Sequence, residues 1–90
     1  MNTVIYKYEL EVADWQDVKM PLGGEILSIQ LQGAKPTIWV KLAPHQPVGE
    51  RRLRIVGTGH SFVDALIGDY VGTIQSDGFV WHLFDAGYCA

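Results

Sequence analysis

The chain has 90 residues, 48% of them hydrophobic and 19% charged, with a formal net charge of −3. That length makes one domain, residues 1–90, and that balance excludes a disordered chain. The net acidity argues against general binding to duplex nucleic acid, which calls for a basic surface.

No apolar run approaches the roughly 20 residues that span a bilayer, and Met1 to Lys7 lack the apolar core of a signal peptide. Cys89 is the single cysteine, which excludes an intrachain disulfide framework. The expectation is a cytoplasmic protein in a reducing setting, with no membrane contact.

In chain order, Val4 to Val12 alternates, with Val4, Tyr6, Tyr8, Leu10 and Val12 on one face and Lys7, Glu9 and Glu11 on the other. That is a half-buried strand. Trp15 to Met20 predicts a second, with Val18 and Met20 inward, broken by Pro21-Leu22-Gly23-Gly24. Glu25 to Gln32 alternates again, with Leu27, Ile29 and Leu31 inward. Gly33 to Pro36 reads as a hairpin-like connection to a partner strand, Thr37 to Leu42. There Ile38, Val40 and Leu42 face in, so Trp39 and Lys41 project from the opposite face. Ala43 to Glu50, with Pro44, Pro47 and Gly49, predicts an irregular surface loop.

Arg51 to Val56 is a fifth strand, with Leu53 and Ile55 inward and Arg52 and Arg54 outward. Ser61 to Gly68 predicts one or two helical turns, with Ser61 and Asp64 spaced as a loose capping box and Gly68 suited to a helix end. Tyr70 to Gln75 is a sixth strand, and Asp77-Gly78 marks a hairpin turn. Phe79 to Phe84 is a seventh strand, apolar on both faces except at His82, which suggests a central or interface strand. Asp85 to Ala90 reads as a loose tail. The sum is a mainly β fold: a small antiparallel β-sandwich or partly open barrel of about seven strands with one short helical turn.

The four lysines lie at or before Lys41 and the three arginines at 51, 52 and 54, whereas Ile55 to Ala90 carries four aspartates and no basic residue. A cationic strand beside an acidic half predicts internal pairing or self-association into a homo-oligomer. Arg51, Arg52 and Arg54 lead into Gly57-Thr58-Gly59-His60. Free N–H groups of such a turn, ahead of a helix start, can cradle an anion, and guanidinium groups bind phosphate in bidentate fashion. These seven residues are the candidate ligand site, for a small anionic ligand. The turn lacks the Gly-Lys-Ser/Thr of a P-loop and the third glycine of the dinucleotide fingerprint. His45, His60 and His82 match no metal spacing. Gly59-His60-Ser61 lacks the closing glycine of a nucleophile elbow, since position 63 is Val. No catalytic set, metal or cofactor is expected. Trp39 and Lys41 are the candidate contacts to a protein partner, because an outward tryptophan beside a lysine suits an interface.

The whole chain resembles a family of small uncharacterised proteins encoded by phages and prophages. The residues that carry the likeness are Val4-Ile5-Tyr6-Lys7-Tyr8-Glu9-Leu10, Ile26-Leu27-Ser28-Ile29-Gln30, Trp39, Ile55 through His60, Val71-Gly72-Thr73 and Val80-Trp81-His82-Leu83-Phe84. The resemblance implies a phage-borne accessory protein in the host cytosol. On that footing it is expected to be a non-enzymatic binding protein that inhibits a host defence component. It would either occlude a protein effector such as a CRISPR complex or sequester a signalling nucleotide. The alternative is an accessory module of virion structure or assembly.

Overall fold

A computed structural model describes residues 2–89. Among them are seven strands: β1 (Val4–Glu9), β2 (Trp15–Pro21), β3 (Glu25–Gln32), β4 (Lys35–Leu42), β5 (Val48–Gly57), β6 (Asp69–Ser76) and β7 (Phe79–Tyr88). One 3-10 turn, Asp64–Leu66, lies between β5 and β6. The strands form two antiparallel sheets, ordered β1-β4-β3 and β2-β5-β7-β6, and neither closes into a barrel. The fold is the small β-sandwich that the alternation predicts.

The core lies between the sheets. Ile29, Ile38, Val40 and Leu42 come from one sheet and Met20, Leu53, Ile55, Ile74 and Leu83 from the other. The layers meet closely where β3 lies against β6: a Cβ on Gly72 would stand 2.9 Å from Ile29 Cγ2. The β6–β7 hairpin turns through Asp77 and Gly78, with φ of 51° and 83°. Positive φ at both central residues is the type I′ geometry whose twist matches the flanking strands, as the Asp-Gly pair predicts.

Five local expectations need correction. Leu27 faces out and is exposed, because a register shift between Ile26 and Ser28 inserts a bulge that flips it from the core face. Tyr6 keeps its inward register opposite Val40, yet β1 is an edge strand and leaves it largely exposed; Val12 lies past the strand and is exposed too. The loop before β5 ends early: Val48, Gly49 and Glu50 pair with Pro21, Met20 and Lys19. Pro21 is tolerated in β2 because that strand is an edge. The tail is not loose as far as Tyr88: Asp85, Gly87 and Tyr88 pair with Leu53, Arg52 and Arg51, with Ala86 bulged between. Ala90 lies outside the described residues. The helical turn is present but reduced, and its N-cap is Val63 with no side-chain cap bond, so Ser61 and Asp64 form no capping box.

Candidate functional site

Strand periodicity separates the three arginines. On β5, Arg51 shares the inner face with Leu53 and Ile55, while Arg52 and Arg54 share the outer face. Arg51 is 9% exposed. Its Nε and Nη2 donate to the two carboxylate oxygens of Asp85, and Nη1 donates to Gly24 O at 2.6 Å. Its guanidinium stands 4.7 Å from the centre of the Tyr88 ring. Tyr88 Oη in turn accepts from Gly24 N at 3.0 Å and donates to Pro21 O at 2.5 Å. This plug ties β5 and β7 to the β2–β3 turn. Burial pushes the Asp85 carboxyl up, but the hydrogen bonds from Arg51 and from Gly87 N–H outweigh it and hold the group below the usual carboxylate range. The same bond raises Arg51.

Arg52 lies on the wet side and holds Asp17, its register partner on β2, through Nε at 3.0 Å and Nη2 at 3.2 Å. The hydrogen bond from Arg52 lowers the Asp17 carboxyl. The expected cluster of three free cations on one face is therefore corrected: two arginines hold the molecule's own aspartates.

Arg54 differs. Among the described residues no carboxylate pairs with it, and its Nε is buried without an acceptor. The register places it in a transverse row across the outer face of the four-stranded sheet, Trp15 on β2, Arg54 on β5, Phe84 on β7 and Tyr70 on β6. Arg54 Cζ lies 5.0 Å from the Trp15 ring centre, a cation–π contact. Tyr70 meets Phe84 edge-on at 5.6 Å.

Residues 58–68 cross over this row. Ile67 is buried and anchors the crossing, and Phe62 packs on Phe84 at 5.9 Å. Val63 and Leu66 face solvent, 75% and 76% exposed, beside the half-exposed Trp15 and Tyr70. Soluble proteins seldom leave so many large apolar groups together on one face unless it meets something.

The crossing leaves a hollow on either side. One, of about 550 Å³, is lined by Trp15, Arg52, Leu66 and Ala86. The other, of about 250 Å³, is lined by residues of the glycine turn, Gly57 to His60, with Phe62, His82 and Phe84. The turn thus does border a hollow, but no arginine lines it. Two of the N–H groups expected to cradle an anion are engaged, Thr58 N with Val80 O and His60 N with Gly57 O, each at 3.1 Å. His82 is fixed between Thr58 Oγ1 at 2.7 Å and Thr73 Oγ1 at 2.9 Å, and Tyr70 Oη bonds Thr73 at 2.5 Å.

On the other sheet, Trp39 is half-buried on the outer face between Lys7 and Ser28. Lys41 forms an exposed ion pair with Glu25 at 3.2 Å. They lie on the opposite layer from the arginine row. The residues that sequence reasoning passed over are Trp15, Phe62, Leu66 and Tyr70. Their signal was faint: Trp15 gains meaning only once the β2–β5 register sets it against Arg54. The single cysteine, Cys89, follows β7 and lies near Asp17 and Glu50, with one donor atom of each within 4.8 Å of the others. Asp17 already accepts from Arg52.

No helix among the described residues is long and apolar enough to cross a membrane. No curated protein and no solved structure is significantly similar to the chain. A family model described as a domain of unknown function, DUF7352, matches residues 1–88, and the chain belongs to that family.

Proposed function

We propose that the chain is a non-enzymatic binding protein that meets a protein partner with the outer face of its four-stranded sheet. One observation carries this reading. Among the described residues Arg54 has no acid of its own, and it stacks on Trp15 at the centre of a row that continues through Phe84 and Tyr70. Trp, Tyr and Arg are the residue types that dominate binding energy at protein interfaces. The rim suits such a contact, with the exposed Val63 and Leu66 on one side and the Arg52–Asp17 pair on the other.

Capture of a signalling nucleotide by the three arginines and the glycine turn has less support, because Arg51 and Arg52 are engaged and the turn opens on a separate hollow. The sequence resemblance supports the finer proposals: an origin in a phage or prophage, action in the host cytosol, and a host defence component as the partner.

The test uses affinity-tagged protein produced in the host, as wild type, as the Trp15→Ala/Arg54→Ala double variant and as Trp39→Ala. The expected result is a stoichiometric partner with wild type and Trp39→Ala that is lost with the double variant. An identical set of co-purifying proteins for all three would overturn the reading. Abundant copies in purified virions, found by mass spectrometry, would replace the host target with a virion role. A second copy of the chain as the sole partner would make the face a homodimer interface.

A further inference from the structure

We infer that the free edge of β1, on the layer away from the arginine row, pairs antiparallel with β1 of a second copy of this chain, about a two-fold axis at Tyr8. The three-stranded sheets of the two copies then join into one continuous sheet.

The sandwich has four edge strands, β1 and β3 in one sheet and β2 and β6 in the other. Three of them carry the irregularities by which edges avoid pairing. β2 ends in Pro21, and β3 and β6 are bulged at Leu27 and Val71. β1 has no proline, glycine or bulge, and its register with β4 runs unbroken from Val4 to Glu9. Ile5 and Tyr6 on this strand are 58% and 46% exposed.

Ladder parity fixes which backbone groups are free. Leu10 N donates to Pro36 O at 2.8 Å, just past the Glu9–Thr37 pair. Alternate residues of an antiparallel strand bond the same neighbour, so Tyr8, Tyr6 and Val4 also bond β4. The N–H and C=O groups of Ile5, Lys7 and Glu9 therefore point away from β4, along the open edge. Gln16 marks where this edge closes. Its side-chain amide engages both the N–H and the C=O of Glu11, at 3.1 Å and 2.7 Å.

Charge selects a second copy as the occupant and sets the register. Lys7 and Glu9 share the outer face, and among the described residues neither is in an ion pair. Lys7 Nζ donates to the neutral Gln32 Oε1 at 2.7 Å. In an antiparallel copy, residues with outward backbone groups stand opposite one another. A two-fold axis at Lys7 would set Lys7 against itself, and one at Tyr6 would set it against Ile5. The axis at Tyr8 sets Lys7 against Glu9 of the second copy, and Glu9 against its Lys7. On the inner face the same register opposes the two Tyr8 rings and covers Tyr6 with Leu10 of the second copy, both favourable cross-strand pairs.

The test is analytical ultracentrifugation of the full-length protein over a concentration series at low ionic strength, where screening is weak. The samples are wild type, Lys7→Glu, Glu9→Lys and an equimolar mixture of the two variants. The mass of the wild type should climb with concentration from 10.0 kDa towards twice that value. Each variant alone opposes like charges at both rungs, so its Kd should rise at least about tenfold. The mixture should recover the dimer, because the all-acidic edge of one variant then meets the all-basic edge of the other. A variant that had merely unfolded could not give that recovery. Hydrogen exchange of the wild type should show the Lys7 and Glu9 amides gaining protection with concentration, while Tyr6 and Tyr8 stay unchanged. A wild type that stays monomeric, variants that dimerise as the wild type does, or a mixture without recovery would overturn the β1 dimer. A dimer lost instead with Trp15→Ala/Arg54→Ala would move self-association to the other sheet and overturn it as well. The co-purification experiment reads a different layer, so the outer-face reading stands or fails on its own data.

Discussion

Arg51, Arg52 and Arg54 lie within four positions of one strand and end in three environments, and the two-residue period of β5 explains the division. Position 51 faces the core, where an arginine persists only if fully paired; Asp85, Gly24 O and the Tyr88 ring supply that pairing. Removing one partner of a buried pair strands the other, so Arg51→Ala should lower the unfolding free energy by about 3–5 kcal/mol in urea titrations. Arg52→Ala, which breaks an exposed pair, should leave the urea midpoint almost unmoved. The pH dependence follows from Asp85. Its folded pKa lies below the ordinary value of 3.8, so its contribution is fully present above that value. The contribution is lost as pH falls through the depressed folded value. Wild-type stability should thus decline steeply with acid below about pH 4, and Asp85→Asn should show a lower but flatter profile. A parallel decline in both proteins would contradict this assignment.

At the scale of elements, alternation made most strands legible, because one face of each meets the core, and the apolar run after the Asp-Gly turn marked the seventh. It failed where the ladder carries an extra residue. Leu27 sits in the β3 bulge, and Ala86 in the β7 bulge lets the last strand run on to Tyr88. A bulge reverses the inward parity of everything beyond it, and nothing in a single sequence marks one. The same limit hid the Arg51–Asp85 pair, since it depends on register across 34 positions. The segment between β5 and β6 was legible as a short turn but not as a cover for the outer face. Its exit is tightly specified. Gly68 has a φ of 88°, and a Cβ there would lie 2.1 Å from Asp85 O. Gly68→Ala should therefore destabilise by at least about 2 kcal/mol. Thermal unfolding checks this, and a melting curve that overlays the wild type would show that the crossing is not held at this point.

For the whole molecule, the sandwich presents two outer faces of different character. The three-stranded sheet shows a half-buried Trp39 with the exposed Ile5 and Leu27 among lysines, glutamates and glutamines, and Lys41 is held by Glu25. The four-stranded sheet shows a row built around an arginine that no acid among the described residues pairs with, under a crossing rich in exposed apolar side chains. Composition made the cationic stretch visible and periodicity placed Arg52 and Arg54 outward. Which arginine stays uncommitted depends on strand order, and strand order is long-range information. The charge asymmetry between the halves of the chain was legible as well; much of it resolves internally, in the Arg51–Asp85 and Arg52–Asp17 pairs.

Photo-crosslinking in the host tests the choice of face most directly. A benzoylphenylalanine placed at Leu66 sits on the apolar crossing, and one placed at Gln30 sits exposed on the other sheet. A discrete adduct to one protein from position 66, absent from position 30 and suppressed by Arg54→Ala, is the predicted result. An adduct from position 30 alone, or equal adducts from both positions, would contradict it.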